Sequence, residues 1–250
     1  MSVSRKLLRI YHYAANLVSW VLFAVVGIAL NLVCMPLLVG GRRDRRGAAV
    51  RATIRWLFAA WCKWLHATRL IYVDFEGFTP DALAGPAVYV ANHPGLLDAT
   101  FILSQLPDAI CIFKPAIIRN PALGPAAIMA GYACGSNGVD LIRDVAARLG
   151  AGRSLLIFPE GTRTAPDVSL NPLKPGFAVI AARAHVPVRL ILIRAPRDLV
   201  PKGWCWWRAP SFPSRVTITL FDEVRARADE TATELTARVA RQFSAALASS

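Results

Sequence analysis

The longest hydrophobic run of the chain lies near its start. Residues 10–41 carry no formal charge, and the run exceeds the roughly 20 apolar residues that a membrane-spanning helix needs. Basic residues flank it on both sides, at Arg5, Lys6 and Arg9 and at Arg42, Arg43, Arg45 and Arg46, so the positive-inside rule gives no clear orientation. We predict a membrane segment, and a bent pair of short helices that dips into one leaflet is one shape that fits. A cleaved signal peptide is the competing interpretation, but the run is too long for an ordinary signal-peptide core.

A second helical pattern follows in residues 48–70. Its apolar residues recur at helical spacing, and Arg51, Arg55 and Lys63 stand among them. Tryptophan and arginine together suit the headgroup zone, so the segment is predicted to be an interfacial helix, although packing on the core of the next domain explains the pattern equally well. We therefore divide the chain into membrane-embedded and interfacial helices over residues 1–70 and a second domain over 71–250.

From residue 71 onward, strand-like and helix-like segments alternate, which is typical of an α/β domain. Strands are predicted over residues 87–91, 109–113, 154–158, 188–193 and 216–221. Helices are predicted over 97–106, 121–130, 140–149 and 175–185, with a last helix that has apolar residues at four-residue steps from Leu235 to Leu247. The Pro- and Trp-rich stretch 196–213 is predicted to cover a site or touch the membrane interface, or else to be a buried loop over the core.

Composition narrows the classes of function. The chain has 250 residues, of which 55% are hydrophobic; soluble domains have roughly 45 to 50%, so some apolar surface is expected to face lipid. The 29 Lys and Arg against 16 Asp and Glu give a net charge of +13, which favours nucleic acid or an acidic membrane surface as partner. The five cysteines and four histidines are scattered, so we expect neither a disulfide framework nor a metal site.

The first candidate for chemistry directly follows a predicted strand. Residues 92–98 read Asn-His-Pro-Gly-Leu-Leu-Asp, which places His93 at the end of the strand and Asp98 about one helical turn further on. A carboxylate bonded to one imidazole nitrogen fixes the tautomer and leaves the other nitrogen free to take a hydroxyl proton. Taken alone the spacing is weak evidence, because a histidine at a strand end is more often structural.

A second motif, Phe-Pro-Glu-Gly-Thr-Arg over residues 158–163, ends another predicted strand. Ligands of α/β sheets commonly bind at the carboxyl ends of strands, so the two motifs are expected to face one cleft. Gly161 permits a tight turn and close approach of a ligand, and the Arg163 guanidinium offers a fork of donors suited to phosphate. A loop with a surface arginine is the alternative interpretation.

Together these motifs resemble the glycerolipid acyltransferase family, typified by the bacterial lysophosphatidate (1-acylglycerol-3-phosphate) acyltransferases. The resemblance spans residues 87–188. Residues 92–98 resemble the catalytic His-x4-Asp block of the family, and residues 158–163 match its acceptor-binding block without a substitution. Further resemblances are found at Lys114 with Pro121 and Gly124, at Lys174-Pro175-Gly176, and at Val186-Pro187-Val188.

The resemblance implies an O-acyltransferase with a mixed α/β sheet flanked by helices. The implied site residues are His93 as general base, Asp98 as its orienting partner, and Lys114, Glu160, Gly161, Thr162 and Arg163 as substrate-binding residues. Glu160 is expected either to bind an acceptor hydroxyl or to brace the turn. Backbone amides near Gly95 or Gly161 are the candidates for an oxyanion site.

The resemblance also implies the partners. The acyl donor is expected to be acyl-CoA or acyl carrier protein, and the acceptor a lysolipid such as 1-acylglycerol-3-phosphate. A thioester is already activated, so neither a cofactor nor a metal is expected. We expect the protein on an anionic membrane, the inner membrane, with its α/β domain facing the cytoplasm and no nucleic acid as partner.

The chain departs from the family pattern at three places. Ala116 stands where an acidic residue is common, and residues 135–137 stand where an arginine is expected. The fourth block usually carries a second proline, but here Val188 is followed by Arg189 and Leu190. These departures concern the acceptor, so the first alternative is an acceptor other than a glycerophosphate, in a specialised lipid or polyene pathway. A basic membrane-binding protein without catalysis is the alternative from another class. A hydrolase is disfavoured because the chain has no Gly-x-Ser-x-Gly elbow.

Overall fold

A seven-stranded mixed sheet forms the centre of the α/β domain. The computed structural model describes residues 3–38, 43–113, 115–117, 120, 123–134, 138–201, 203–204 and 209–249. The strands in these residues are β1 Ile71–Glu76, β2 Val88–Ala91, β3 Ala109–Phe113, β4 Ala133–Cys134, β5 Ser154–Ile157, β6 Val188–Arg194 and β7 Ser214–Val224. Their order across the sheet is β1-β7-β6-β2-β5-β3-β4. Neighbouring strands are parallel except β6 and β7, which confirms the predicted mixed sheet.

Helices flank this sheet and precede it. They are α1 Val3–Leu37, α2 Arg43–Ala67, α3 Asp98–Leu103, α4 Gly124–Met129, α5 Gly138–Gly150, α6 Gly176–Ala184 and α7 Ala232–Ala248, with a short 3-10 turn at Pro115–Ile117. The predicted strands and helices of the α/β domain are all present, within a few residues at their ends. Two strands, β1 and β4, were not predicted.

The core has two layers, one on each face of the sheet. Successive side chains of a strand point to opposite faces, and β2 illustrates the consequence. Tyr89 and Ala91 pack in the layer that includes Phe101 of α3 and Trp61 of α2. Val88 and Val90 pack in the opposite layer, with Phe177 of α6, Val145 of α5 and Phe243 of α7. Because both faces are covered, the central strands are apolar runs without polar alternation.

The first helix has its apolar side outward. α1 is one continuous helix of 35 residues, which differs from the bent pair of short helices that also fitted the sequence. From Ile10 onward its exposed positions are apolar, for example Val21 at 61% and Val25 at 58% exposure, whereas its buried positions include His12, Asn16, Ser19 and Asn31. Among the described residues, α1 is the helix that is long and apolar enough to cross a membrane. This reversed pattern is expected for a helix whose outer side contacts lipid.

Polar and aromatic contacts attach α1 to the rest of the protein. The Trp64 indole of α2 donates to the Ser19 hydroxyl at 2.9 Å, and Phe23 stacks on Phe58 with ring centroids 6.3 Å apart. Further along, the Asn31 side-chain carbonyl accepts a hydrogen bond from the Ala126 N–H of α4 at 2.7 Å. The first helix is therefore docked on both α2 and the α/β domain.

The second helix packs on the core through part of its surface, which is one of the two alternatives for residues 48–70, while its interfacial position stays a prediction. Trp61 and Leu65 are buried in the core, whereas Trp56 is 67% exposed. Arg51 does not face outward: it is buried, its Nε lies 2.6 Å from the Asp108 carboxylate, and its Nη1 donates to the Ala130 carbonyl at 2.8 Å. Arg51 is therefore a buried residue that joins α2 to Asp108 and to the Ala130 carbonyl.

Candidate active site

Asn92 determines where β2 ends. Its side-chain amide donates to the Ile193 carbonyl of β6 at 2.9 Å and accepts from the Ile193 N–H at 2.7 Å. This buried side chain replaces the backbone pairing that another strand residue would make. His93 is consequently the first residue to leave the sheet, at the carboxyl edge where ligands of α/β sheets bind. The sequence contained Asn92 within the first motif but gave no indication of its role.

His93 and Asp98 form a close pair at this edge. The His93 Nδ1 lies 2.9 Å from the Asp98 Oδ2, and the side chains are 20% and 3% exposed. The Gly95 N–H donates to the same Oδ2 at 2.8 Å. No described residue is hydrogen-bonded to the Nε2 of His93, so the second ring nitrogen is available to a substrate. The structure therefore brings the His93 and Asp98 side chains into the direct contact that their spacing in the sequence suggested.

Burial changes the acid–base behaviour of Asp98. Desolvation of the buried carboxylate raises its pKa, and the hydrogen bond with His93, the charge of that ring and the Gly95 N–H act in the opposite direction. The Asp98 Oδ2 contacts both the His93 Nδ1 and the Gly95 N–H, so the buried carboxyl group is held in a fixed position relative to the imidazole. Asp98 is therefore suited to orient the imidazole of His93.

The ring of His93 is held from a third side by Phe158. The two rings are stacked with centroids 4.2 Å apart and an interplanar angle of 23°. Phe158 directly follows β5, which is the parallel neighbour of β2 in the sheet. The two motifs therefore leave the sheet side by side at the same edge.

Glu160 connects the second motif to the first. This buried carboxylate accepts hydrogen bonds from the His93 N–H at 2.8 Å, from the Asn171 N–H at 2.9 Å and from the Thr164 hydroxyl at 2.9 Å. In addition, the Thr164 N–H donates to the His93 carbonyl at 2.7 Å. Of the two roles expected for Glu160, this geometry fits the bracing role.

Arg163 is engaged with a neighbouring turn. Its Nη1 donates to the Val200 carbonyl at 3.0 Å and to the Pro201 carbonyl at 2.7 Å. The Val200 carbonyl also accepts from the Leu96 N–H of the first motif at 3.2 Å. Val200 has a φ of 50°, a costly conformation for a β-branched residue that is found most often at functional sites.

Residues 199–201 thus form a turn that contacts the first motif, residues 92–98. We call residues 199–201 the covering turn. The Leu199 carbonyl lies 3.1 Å from the position that a Cβ would take on Gly95, so a side chain at Gly95 would collide with the turn. Trp206 and Trp207 of stretch 196–213 lie outside the described residues, so the roles predicted for the stretch stay predictions. Nothing in the sequence indicates that the Val200 carbonyl accepts hydrogen bonds from residues of both motifs.

The remaining predicted substrate-binding residues have different environments. Gly161 is exposed and has a φ of 68°, which favours glycine, and Thr162 is half-buried. Lys114 lies outside the described residues, as do Pro121 and residues 135–137. The two amides considered for an oxyanion site are already bonded, that of Gly95 to Asp98 and that of Gly161 to the Phe158 carbonyl at 3.0 Å.

The described residues were also compared with the requirements of a metal site and of a cysteine nucleophile. Within the described part of the chain, no group of three or more His, Cys, Asp or Glu side chains could hold a metal ion. Burial raises the pKa of Cys62 to about 11 and that of Cys111 to about 12. Since the thiolate is the reactive form of cysteine, these two thiols are unsuited to act as nucleophiles.

Comparison with known proteins shows which family the central part of the chain matches. Residues 72–194 match the family described as Acyltransferase. A chloroplastic 1-acyl-sn-glycerol-3-phosphate acyltransferase of Brassica napus is 34% identical over 123 residues, which cover 47% of this chain and 36% of that protein. The protein of the same name from Helicobacter pylori is 30% identical over 118 residues, 44% of this chain and 50% of the relative. The chain thus matches half or less of the length of these relatives.

A solved structure extends the likeness to the fold. The crystal structure of the 1-acyl-sn-glycerophosphate acyltransferase PlsC from Thermotoga maritima superposes with a TM-score of 0.74 and 22% identity, covering 98% of this chain and 97% of that one. The mixed sheet and the long apolar first helix therefore belong to a known architecture. Residues 72–194 of the chain thus match the acyltransferase family, and in that part the chain is similar to 1-acyl-sn-glycerol-3-phosphate acyltransferases.

Proposed function

We propose that this protein is a membrane-attached O-acyltransferase that transfers a fatty acyl group from a thioester to a lipid hydroxyl. The observation that carries the proposal is the His93–Asp98 contact of 2.9 Å at the edge of the sheet, with Nε2 of the ring available. A His–carboxylate pair serves as a general base when one nitrogen is fixed and the other faces the substrate. The family match supports acyl transfer as the reaction.

The reaction needs no covalent intermediate on the protein. The acceptor hydroxyl gives its proton to Nε2 of His93 while its oxygen attacks the thioester carbonyl. The tetrahedral adduct then collapses, the C–S bond breaks, and the imidazolium returns the proton to the departing thiolate. Asp98 stabilises the imidazolium and holds its orientation in both steps.

We propose that the second motif forms the acceptor side of the site. Glu160 braces the turn, Gly161 and Thr162 line it, and the unbonded edge of the Arg163 guanidinium faces an anionic group of the acceptor. Lys114, outside the described residues, is proposed as a further contact to that group from its position in the second block of the family. Arginine suits this task because its planar fork matches phosphate and carboxylate geometry.

The acyl chain has a candidate location between the helices and the catalytic loop. An apolar seam there is lined by Trp20, Trp61, Leu65, Leu97, Leu199 and Val200. It contains only about 10 Å³ of free space, so an entering chain must part these side chains. The seam lies between α1, α2 and Leu97, the residue before Asp98. This location suits a substrate that arrives from lipid.

We propose that residues 1–70 attach the protein to the membrane and that residues 71–250 form the catalytic domain on the cytoplasmic side of the inner membrane. The outward apolar side of α1 supports attachment. The net charge of +13 supports binding to anionic lipid and favours the acidic acyl carrier protein as donor, with acyl-CoA as the other candidate.

The acceptor we favour is 1-acylglycerol-3-phosphate, in phospholipid synthesis, because that acceptor is in the names of the relatives. An acceptor other than a glycerophosphate, in a specialised lipid or polyene pathway, is the second candidate, since the fourth block has Arg189 and Leu190 after Val188 and lacks its usual second proline. Arg189 is buried, and its guanidinium donates hydrogen bonds to the Glu223 carboxylate and to the Tyr89 hydroxyl. Tyr89 belongs to β2, the strand that precedes His93, so this departure from the family pattern extends to that strand.

The test is a reconstitution of the full chain in lipid nanodiscs. It is given acyl-CoA or acyl carrier protein thioesters together with a panel of lysophospholipids and neutral lipid alcohols, and products are identified by mass spectrometry. We expect an acyl ester of one acceptor class, absent with His93→Ala. Anionic-lipid binding without any ester product would favour the non-catalytic membrane protein instead.

A further inference from the structure

Lys174 places an ammonium group directly on the turn of the second motif. Its Nζ lies 2.9 Å, its Cε 3.2 Å and its Cδ 3.5 Å from the position that a Cβ would take on Gly161. The outer half of the lysine side chain therefore passes directly over the α-carbon of Gly161. It occupies space that the side chain of any larger residue at position 161 would fill. The Lys174 N–H donates to the Pro159 carbonyl at 2.9 Å, which fixes the lysine backbone beside the same turn.

This cation has no counter-charge in the described part of the chain. None of the ion pairs found there includes Lys174. The carboxylate of the turn, Glu160, is buried and occupied by His93, Thr164 and Asn171. The residue is exposed, so its ammonium is open to a ligand from solution.

Arg163, the other cation of the turn, is less available. One of its terminal nitrogens bonds with both carbonyls of the covering turn. An anion that recruited the whole guanidinium would have to break these bonds. Among the described residues, the Arg163 guanidinium is thus partly engaged by the covering turn, whereas no ion pair of the Lys174 ammonium is found.

We propose that Lys174 is a specificity-determining residue that binds a phosphate oxyanion of the acceptor. This inference rests on the proposed acyl transfer. A lysine ammonium is a compact charge on a flexible stem and can follow a phosphate that enters an open turn. Donor thioesters also carry phosphates, but the whole pantetheine arm separates these from the reacting carbonyl. The phosphate of a glycerophosphate acceptor lies only a few bonds from its hydroxyl, and the turn under Lys174 contacts His93 directly.

The experiment compares Lys174→Met, Lys174→Arg and the wild-type protein, with Arg183→Met as control. Arg183 is an exposed cation in the last turn of α6, so its variant loses the same charge outside the site. Kinetics are measured in nanodiscs with oleoyl-CoA as donor. The acceptors are 1-oleoylglycerol 3-phosphate and neutral 1-oleoylglycerol, and melting temperatures verify folding.

We expect Lys174→Met to raise the KM for the anionic acceptor about 10- to 100-fold, the range of a lost charge-assisted hydrogen bond. The donor KM and the kcat should stay within about twofold of wild type, Lys174→Arg should recover most of the affinity, and Arg183→Met should match wild type. Turnover of the neutral acceptor, where present, should not change. A merely structural lysine would not separate the two acceptors.

The outcomes distinguish the two levels of inference. If wild type transfers no acyl group to any acceptor, the proposed function fails. If wild type is active but Lys174→Met leaves the anionic-acceptor KM unchanged, or raises the donor KM instead, only the assignment of Lys174 is overturned. Exclusive use of neutral acceptors by the wild type would overturn it as well.

Gly161 provides an independent test through a double-mutant cycle with Lys174→Ala. Gly161→Ala should raise the KM for the anionic acceptor, because the new methyl group takes the place of the ammonium. In the Lys174→Ala background it should add less than about twofold, while any cost of the positive φ persists in both backgrounds. KM increments that simply multiply would show that Gly161 does not act through Lys174.

Discussion

The carboxylate of Glu160 accepts a hydrogen bond from the backbone N–H of His93 at 2.8 Å, across 67 residues of sequence. Together with the bond from the Thr164 N–H to the His93 carbonyl, it fixes both sides of the His93 peptide backbone. The second motif therefore controls the position of the catalytic candidate as well as lining the site. This relationship leads to the first prediction.

Glu160→Gln should lower kcat more strongly than it changes either KM. A glutamine has one acceptor oxygen, so its NH2 group must face one of the donors that Glu160 now satisfies. Leaving a buried donor unpaired costs about 1 to 3 kcal/mol, and we expect a matching loss of stability in thermal unfolding. Glu76→Gln, at an exposed position of β1, is the control. A normal kcat in Glu160→Gln would show that the brace does not position His93.

His93→Ala should fold normally and lose about 10²- to 10⁴-fold in kcat, the usual contribution of a general base. Asp98→Asn should lose a comparable share, because the imidazole is no longer held in one tautomer. The double variant should be little worse than His93→Ala, since both residues act as one unit. His66→Ala, an exposed histidine on α2, serves as control. Losses that multiply would contradict the pair, as would near-normal turnover by a folded His93→Ala.

Asp98→Asn should be at least as stable as wild type at pH 7 although it is less active. Burial raises the pKa of Asp98, so the folded protein keeps this proton at pH values where the unfolded chain has released it. The contribution of protonated Asp98 to the free energy of unfolding is therefore complete below about pH 3.9, the pKa of an aspartate in the unfolded chain. It is lost as the pH rises through the higher pKa that Asp98 has in the folded protein.

Melting temperatures of both proteins between pH 4.5 and pH 7.5 test this prediction. Groups that do not contact Asp98 cancel in the difference, which should shift in favour of Asp98→Asn as the pH increases. A wild type that gains on the variant with rising pH would mean that the pairing with His93 outweighs burial and lowers the pKa of Asp98.

The double variant Val21→Arg, Val25→Arg should release the protein from membranes. Both valines are on the exposed side of α1, and an arginine near the middle of an inserted helix costs about 2.5 to 3.5 kcal/mol. We expect a larger fraction to be extracted by high salt or carbonate, with unchanged melting in detergent. Val139→Arg, at a position on α5 that is 71% exposed, should behave as wild type. Equal retention of both variants would exclude lipid contact by this side of α1.

The strand and helix pattern of the α/β domain could be predicted because it is encoded over short distances. Strand β3 was predicted with its observed ends, Ala109–Phe113, since a buried strand is an uninterrupted apolar run. The contact between His93 and Asp98 is also local, because five residues and the start of a helix bring the two side chains together. Strand β1 was missed, because its Asp74 and Glu76 pair with Arg215 and Thr219 of β7, a neighbour that only the sheet order reveals.

The sequence by itself determined the membrane segment, the α/β pattern and the two motifs, because periodicity and charge are properties of neighbouring residues. Tertiary structure alone decided that Glu160 supports His93, that Arg163 holds the covering turn, and that Lys174 crosses Gly161. The reason is the order of the strands. β2, β5 and β6 are far apart in sequence but adjacent in the sheet, so their loops meet at one edge, and each side chain finds its partner there.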